Sequence, residues 1–276
     1  MFVSGFFLCC FAIAWVGSSA LIPPTQIDMK CFEATPKAII FDIDGTLADS
    51  WKLGFDATLV VLENNDLPLI DEATYHKCTK FSTPQRLARH AGLEPILPAN
   101  DEESRANNLL FEQTGDKLAA EFDNLYVGLV TVETAGLFPG IPELLEKIRS
   151  CSSSVKVGCL TNACVAYAHA VLKANDCTSQ SDGLSNMCAS VHGADTVAAP
   201  KPEPDGLYKV CEELGIGVSD SVYIGDSPSD ALAADAAGMA SIGVTWGSHS
   251  EESLRKAPFT FYASTPEELC GLLKLS

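Results

Sequence analysis

Apolar positions along this chain follow two rhythms. Short consecutive runs occur at Ala38-Ile39-Ile40-Phe41, Val155 to Leu160, Ser221 to Ile224 and Ser241 to Gly247, with a weaker one near Ala189 to His192. Runs of this length, rich in β-branched residues, suit strands buried on both faces of a parallel sheet. Between them, apolar residues recur every three or four positions and predict helices: from Pro142 through Ile148, from Ala163 to Ala174, one running to Leu214, a small-residue helix Ala231 to Ala237, and a closing helix Glu267 to Leu275. Residues 51 to 137 carry only the helical rhythm, at Leu53, Ala57, Val60 and Val61 and again at Leu109, Leu118 and Phe122. Strands alternating with helices around one all-helical stretch predict an α/β protein: a core from residues 36–50 and 138–276, and an inserted helical domain over 51–137.

The predicted strands end in polar residues of particular kinds. Asp42 and Asp44 follow the first run two positions apart, so they point to the same side, and Gly45 lets the chain turn away behind them. The second run ends in Thr161-Asn162 at the start of a helix, where a hydroxyl and free backbone N–H groups suit a phosphate oxygen. Lys201 stands between Pro200 and Pro202, and Asp226 and Asp230 straddle a further strand-to-helix turn. Each piece alone has a plain structural reading: a turn, an N-cap, a solvated loop charge. Their common position at strand carboxyl ends, where open α/β sheets bind ligands, favours one site.

Taken together, Asp42-x-Asp44-Gly45-Thr46, Thr161-Asn162, Lys201-Pro202 and Gly225-Asp226-Ser227-Pro228-Ser229-Asp230 resemble the four motifs of the haloacid dehalogenase superfamily. Phe138-Pro139-Gly140 and the segment from Ala236-Ala237-Gly238-Met239 to Val244-Thr245-Trp246-Gly247 are most similar to phosphoglycolate phosphatases and their relatives. The resemblance implies a three-layer Rossmann-like core and a Mg²⁺-dependent phosphatase acting on a small organic phosphomonoester. It implies Asp42 as nucleophile and Asp44 as general acid and base, with Thr161, Asn162 and Lys201 on the phosphoryl group. Mg²⁺ would be held by Asp42, Asp226 and the backbone carbonyl of Asp44, and Asp230 would orient Lys201 or a metal-bound water. Asp44 and Thr161 lie 117 positions apart, against 40 from Thr161 to Lys201, so the inserted domain is expected to be a cap between the first two motifs. A phosphomutase on the same core, a non-catalytic binding relative and a phosphoprotein phosphatase are the alternatives.

Charge narrows the partners. A formal net charge of −18 argues against nucleic acid, whose phosphates must be met by Lys and Arg. In so acidic a chain, His76 to Leu93 holds Lys77, Lys80, Arg86 and Arg89 and no acid. Arg86 and Arg89 would share a helix face, either solvated or turned toward a substrate carboxylate. Residues 2 to 22 carry no charge, and the small residues before Leu21 predict a cleaved targeting presequence within 1–24 for the secretory route or an organelle, a plastid included; a membrane anchor is the alternative. Of eleven cysteines, nine remain beyond that leader, without CxxC spacing, and are expected to be mostly small core residues.

Overall fold

The computed structural model describes residue 32 and residues 34–150, 155–176 and 183–275. The expected presequence or anchor lies outside the described residues, as do Cys9, Cys10, Cys31, Cys151 and Cys177. Among the described residues, no helix is long and apolar enough to cross a membrane.

The chain opens with β1 (Ala38–Phe41), every residue of which is buried. It then enters a two-residue strand β2 (Ala48–Asp49), from which four helices depart: α1 (Trp51–Asn64), α2 (Glu72–Cys78), α3 (Thr83–His90) and the 27-residue α4 (Glu102–Gly128). Asp71 and Asp101 accept hydrogen bonds from the backbone N–H of Thr74 and Ser104, at 2.8 and 2.7 Å, and so start α2 and α4. Gly115 on α4 faces the Pro84 carbonyl so closely that a Cβ there would lie 2.5 Å from it, which allows α3 and α4 to pack tightly. The stretch returns through β3 (Gly136–Leu137), antiparallel to β2. Val60 and Leu109, expected on the apolar faces, are instead 40% and 53% exposed, because the buried stripes run through Ala57 and Val61 and through Phe111, Leu118 and Phe122.

The remaining elements build the core: α5 (Ile141–Ser150), β4 (Lys156–Leu160), α6 (Val165–Ala174), α7 (Gly183–Met187), β5 (Cys188–His192), α8 (Asp205–Leu214), β6 (Ser221–Gly225), α9 (Pro228–Ala237), β7 (Ala240–Val244), α10 (Glu251–Leu254), β8 (Phe261–Ala263) and α11 (Pro266–Leu272). Six strands form one parallel sheet in the order β5-β4-β1-β6-β7-β8. Alternation along β1 serves two layers: Ile39 and Phe41 pack with α5, α6 and α11, while Ala38 and Ile40 pack with α8 and α9. Each fully buried Ile or Phe contributes about 1.5–3 kcal/mol. Register matters for function as well. With Phe41 level with Cys159 and Ile224, a slip of one residue would turn Asp42 from the rim toward the other face.

Several elements depart from the sequence reading, among them β7, which ends at Val244 rather than Gly247, and α9, which starts at Pro228 rather than Ala231. The helix after β4 starts at Val165, with Cys164 in the N-cap position, because Thr161 to Ala163 form the turn over the site. The closing helix ends at Leu272, three residues short of the expectation. Strand β8 was not foreseen: it is three residues long and lies at the sheet edge, too short for its pattern to separate from a loop.

Candidate active site

From β1 the chain crosses first to β4 on one side and later to β6 on the other, which opens a crevice beside β1 at the strands' carboxyl ends. Asp42, Thr161 and Asp226 follow those three strands directly, and the loop before α8 brings Lys201 in between. Lys201 is 4% exposed, and its ammonium lies 2.9 Å from Asp42 Oδ1 and 2.7 Å from Asp230 Oδ1 and donates to the Tyr223 hydroxyl at 3.0 Å. Burial works to lower its pKa, but Asp230 and Asp42 outweigh that and hold it above the ordinary lysine value. Asp230 in turn accepts from the Ser227 N–H at 2.9 Å and caps α9. It is therefore an orienter of Lys201, one of the two parts expected of it.

Asp42 is 5% exposed and its carboxyl pKa is raised well above the usual range, first by burial and then by the charges of Asp230, Asp226 and Asp44, with Lys201 opposing. One ammonium thus faces several buried carboxylates. Oxygen atoms of Asp42, Asp226 and Asp230 lie within 4.8 Å of one another. Gly45, at φ +76°, and Gly247 leave the flank of Asp226 bare, since a Cβ on either would come within 2.2 or 2.3 Å of its Oδ2. Uncompensated carboxylates with only oxygen donors fit a hard divalent cation such as Mg²⁺.

Asp44 has hydroxyl partners. Its Oδ1 accepts from Ser50 and Tyr167, both at 2.5 Å, and from Tyr126 at 3.3 Å, while Oδ2 lies 3.3 Å from the Thr161 hydroxyl. Thr161 also accepts from the Ala163 N–H at 3.1 Å, which holds its oxygen at the mouth of the turn. Asn162 lines the same crevice, but its amide oxygen accepts from the Lys201 N–H and its amide nitrogen donates to the Lys201 carbonyl, both at 3.0 Å. Both ends of the amide thus hold the backbone of Lys201 at the crevice, where the sequence reading expects Asn162 to meet substrate.

The inserted helices close the other side of a cavity of about 90 Å³. Arg86 lines it, 6% exposed, donating to Thr58 Oγ1 at 3.0 Å, with its guanidinium 4.7 and 5.1 Å from the ring centres of Phe122 and Tyr75. Among the described residues no carboxylate pairs with it. Arg89 does not share this position. It pairs with Glu94 at 3.1 Å, donates to the Gln85 carbonyl and covers the Phe81 ring at 3.7 Å, so the expectation that it meets substrate is corrected. A substrate-facing Arg89 fails because 100° per residue puts two positions three apart some 60° from each other around the helix, enough to separate cavity from flank.

Several lining residues had no signal in the sequence. His249, on the loop after β7, lies 3.7 Å from Asp226 and 3.5 Å from the Thr79 hydroxyl of the inserted helices. Tyr126 and Tyr75 come from α4 and α2, where they read as ordinary core aromatics. Only Ser50, directly behind the first motif, was positioned to be noticed.

Comparison with known proteins agrees with this geometry. The model of the haloacid dehalogenase-like hydrolase family matches residues 39–244. "Probable phosphatase IndB" of Dickeya dadantii is 30% identical over 243 residues, covering 86% of this chain and 95% of that protein. The phosphoglycolate phosphatase of Rhodospirillum rubrum is 29% identical over 217 residues, covering 77% and 80%. Among solved structures, CbbY from Rhodobacter sphaeroides in complex with phosphate superposes with a TM-score of 0.68 at 22% identity, over 87% of this chain and 99% of that one. The chain therefore belongs to the haloacid dehalogenase-like hydrolases and is similar to their phosphoglycolate phosphatases.

Proposed function

We propose that this protein is a Mg²⁺-dependent phosphatase for a small phosphomonoester that carries a second anionic group, phosphoglycolate being the first candidate. The observation behind this reading is the pairing of Asp42 and Lys201 on one wall of the cavity with Arg86, buried and without a carboxylate partner among the described residues, on the other. A desolvated guanidinium lacking an acid is costly, and an anionic ligand offsets that cost bidentately. Relatives at 29% identity are phosphoglycolate phosphatases, whose named substrate has its carboxylate one methylene away from the phosphate ester oxygen.

In this mechanism Asp42 attacks phosphorus, forming an aspartyl-phosphate as the bond to the leaving oxygen breaks. Asp44 gives its proton to that oxygen, then takes one from the water that hydrolyses the intermediate. Thr161 and Lys201 hold phosphoryl oxygens, Lys201 being fixed by Asp230 below and Asn162 behind. Asp42, Asp226 and the Asp44 carbonyl would hold Mg²⁺, which would supply positive charge to the phosphoryl transfer. Helices α1 to α4 act as a cap that excludes competing water and presents Arg86.

The test is a panel of acid, sugar and simple aryl phosphates with the purified full chain, with and without EDTA. Phosphoglycolate or another phosphate with a second anion is expected to lead in kcat/KM, and activity to vanish with EDTA and return with Mg²⁺. Full turnover in chelated protein would remove the metal from the proposal. A preference for uncharged alkyl phosphates would remove the second anion.

A further inference from the structure

We infer that Tyr126 and Tyr167 form a positioning pair for the general acid, fixing the carboxyl group of Asp44 and making its alignment depend on how the inserted helices sit. This rests on the proposed part of Asp44 as acid and base. The two rings come from different parts of the chain, Tyr126 from α4 and Tyr167 from α6 in the core. They stack with centres 4.0 Å apart and planes 15° from parallel, and both hydroxyls reach the same oxygen, Oδ1 of Asp44. Tyr167 is fully buried and Tyr126 is 5% exposed.

A stacked aromatic pair needs no hydroxyls, and a Phe pair would bury comparable apolar surface. Converging two buried phenols and Ser50 on one carboxylate oxygen is a different arrangement, since each hydroxyl must find an acceptor or forfeit hydrogen bonding. With Oδ1 held as acceptor by three hydroxyls, the oxygen left for proton transfer is Oδ2, which accepts from the Thr161 hydroxyl at 3.3 Å at the mouth of the turn. In the first half-reaction the Oδ2 proton goes to the leaving oxygen, whose electron pair comes from the broken P–O bond. In the second, Oδ2 takes a proton from the attacking water, so the carboxyl returns to its starting state. The pair changes neither balance; it fixes which oxygen takes part. Because Tyr126 rides on α4, displacing the inserted helices removes one of the donors and one face of the stack.

The dependence on leaving group separates this from a packing role. An alkoxide leaves poorly without a proton and p-nitrophenolate leaves well, so a misaligned acid affects alkyl phosphates far more. For Tyr167→Phe, which keeps the ring, the ratio of kcat for an alkyl phosphate to kcat for p-nitrophenyl phosphate is expected to fall about tenfold or more, with a smaller fall in the same direction for Tyr126→Phe. In an Asp44→Asn background neither change is expected to lower the ratio further. Equal losses on both substrates in both tyrosine variants, while Asp44→Asn alone lowers the ratio, would overturn the positioning pair and leave Asp44 as the acid. An unchanged ratio in Asp44→Asn itself would overturn the assignment of the acid, and the pair with it.

Discussion

The two walls of the cavity are built on opposite electrostatic plans. On the core wall the charged groups hold one another: Lys201 lies between Asp42 and Asp230, Asp230 caps α9, and Asp226 accepts from the Ser248 N–H at 2.6 Å. On the wall of inserted helices, Arg86 is held by two aromatic rings and one hydroxyl, with no carboxylate partner among the described residues. A network of mutual charges fixes geometry whatever the substrate, which suits a phosphoryl-transfer step common to many substrates. A cation held by packing leaves its hydrogen-bonding capacity for the ligand, which suits discrimination between substrates.

If that contrast is right, the largest effect belongs to the core wall. Asp42→Asn is expected to lower turnover by several orders of magnitude with the fold intact, because it removes the nucleophile. It is also expected to shrink the rise in Tm that Mg²⁺ gives the wild type, since one of the metal's carboxylates is gone. Near-normal phosphate release by this variant would break the comparison outright. Asp230→Ala comes next. It leaves the buried Lys201 with half its compensation, a loss of about 3–5 kcal/mol in stability for a broken buried pair, and turnover is expected to fall roughly a hundredfold as the ammonium drifts. Thermal melts and steady-state kinetics on the same preparation check both.

The insertion wall predicts a selective effect. Arg86→Ala is expected to lower kcat/KM for phosphoglycolate by about tenfold to a hundredfold, the range for a charge-assisted bidentate contact, and to change p-nitrophenyl phosphate hydrolysis about threefold or less. Equal losses on the two substrates would return Arg86 to a structural role. Arg89→Ala is the control three residues away: kcat/KM within about twofold for both substrates, and Tm lower by about 2–4 °C for the roughly 1 kcal/mol in its ring and Glu94 contacts.

A pH-dependent effect on stability alone lies where the two walls meet. Asp123 on α4 has its carboxyl pushed up to about 6, chiefly by burial, with the Cys164 thiol lowering it and Asp195 raising it. Since the folded pKa exceeds the unfolded one, the folded state holds this proton more tightly. The associated stability is present in full below about pH 4 and is lost as pH rises through about 6. Asp123→Asn is therefore expected to melt a few degrees above the wild type at pH 8 and level with it at pH 4. A difference that does not change with pH would show that the carboxylate carries no such penalty.

The core was legible because its signals are local. Three buried strand runs, followed by Asp42, Thr161 and Asp226, state both the sheet and the place of the chemistry, and Asp42, Asp44, Thr161, Lys201 and Asp226 all meet at the cavity, with Asp230 behind Lys201. Asn162 fits an anion site by type and position, and only the fold reveals that its amide also clamps the Lys201 backbone. The insertion was legible as helices but not as a surface. Helical periodicity places Arg86 and Arg89 on neighbouring flanks, and the packing of α3 on α4 decides which one meets the cavity. His249, Tyr126 and Tyr167 approach from elements far apart in sequence, which no spacing rule brings together.

The two-residue ribbon of β2 and β3 has an evolutionary consequence. Ala48 lies opposite Leu137 and Asp49 opposite Gly136, so a stretch of more than eighty residues leaves the core and comes back at one point, while the six-stranded sheet closes without it. A segment with adjoining ends is exchangeable: another helical set, or a short loop, could be spliced at the same clasp without disturbing strand order or register. New selectivity can then be acquired by graft, provided the replacement again brings a hydroxyl to Asp44 where Tyr126 now does.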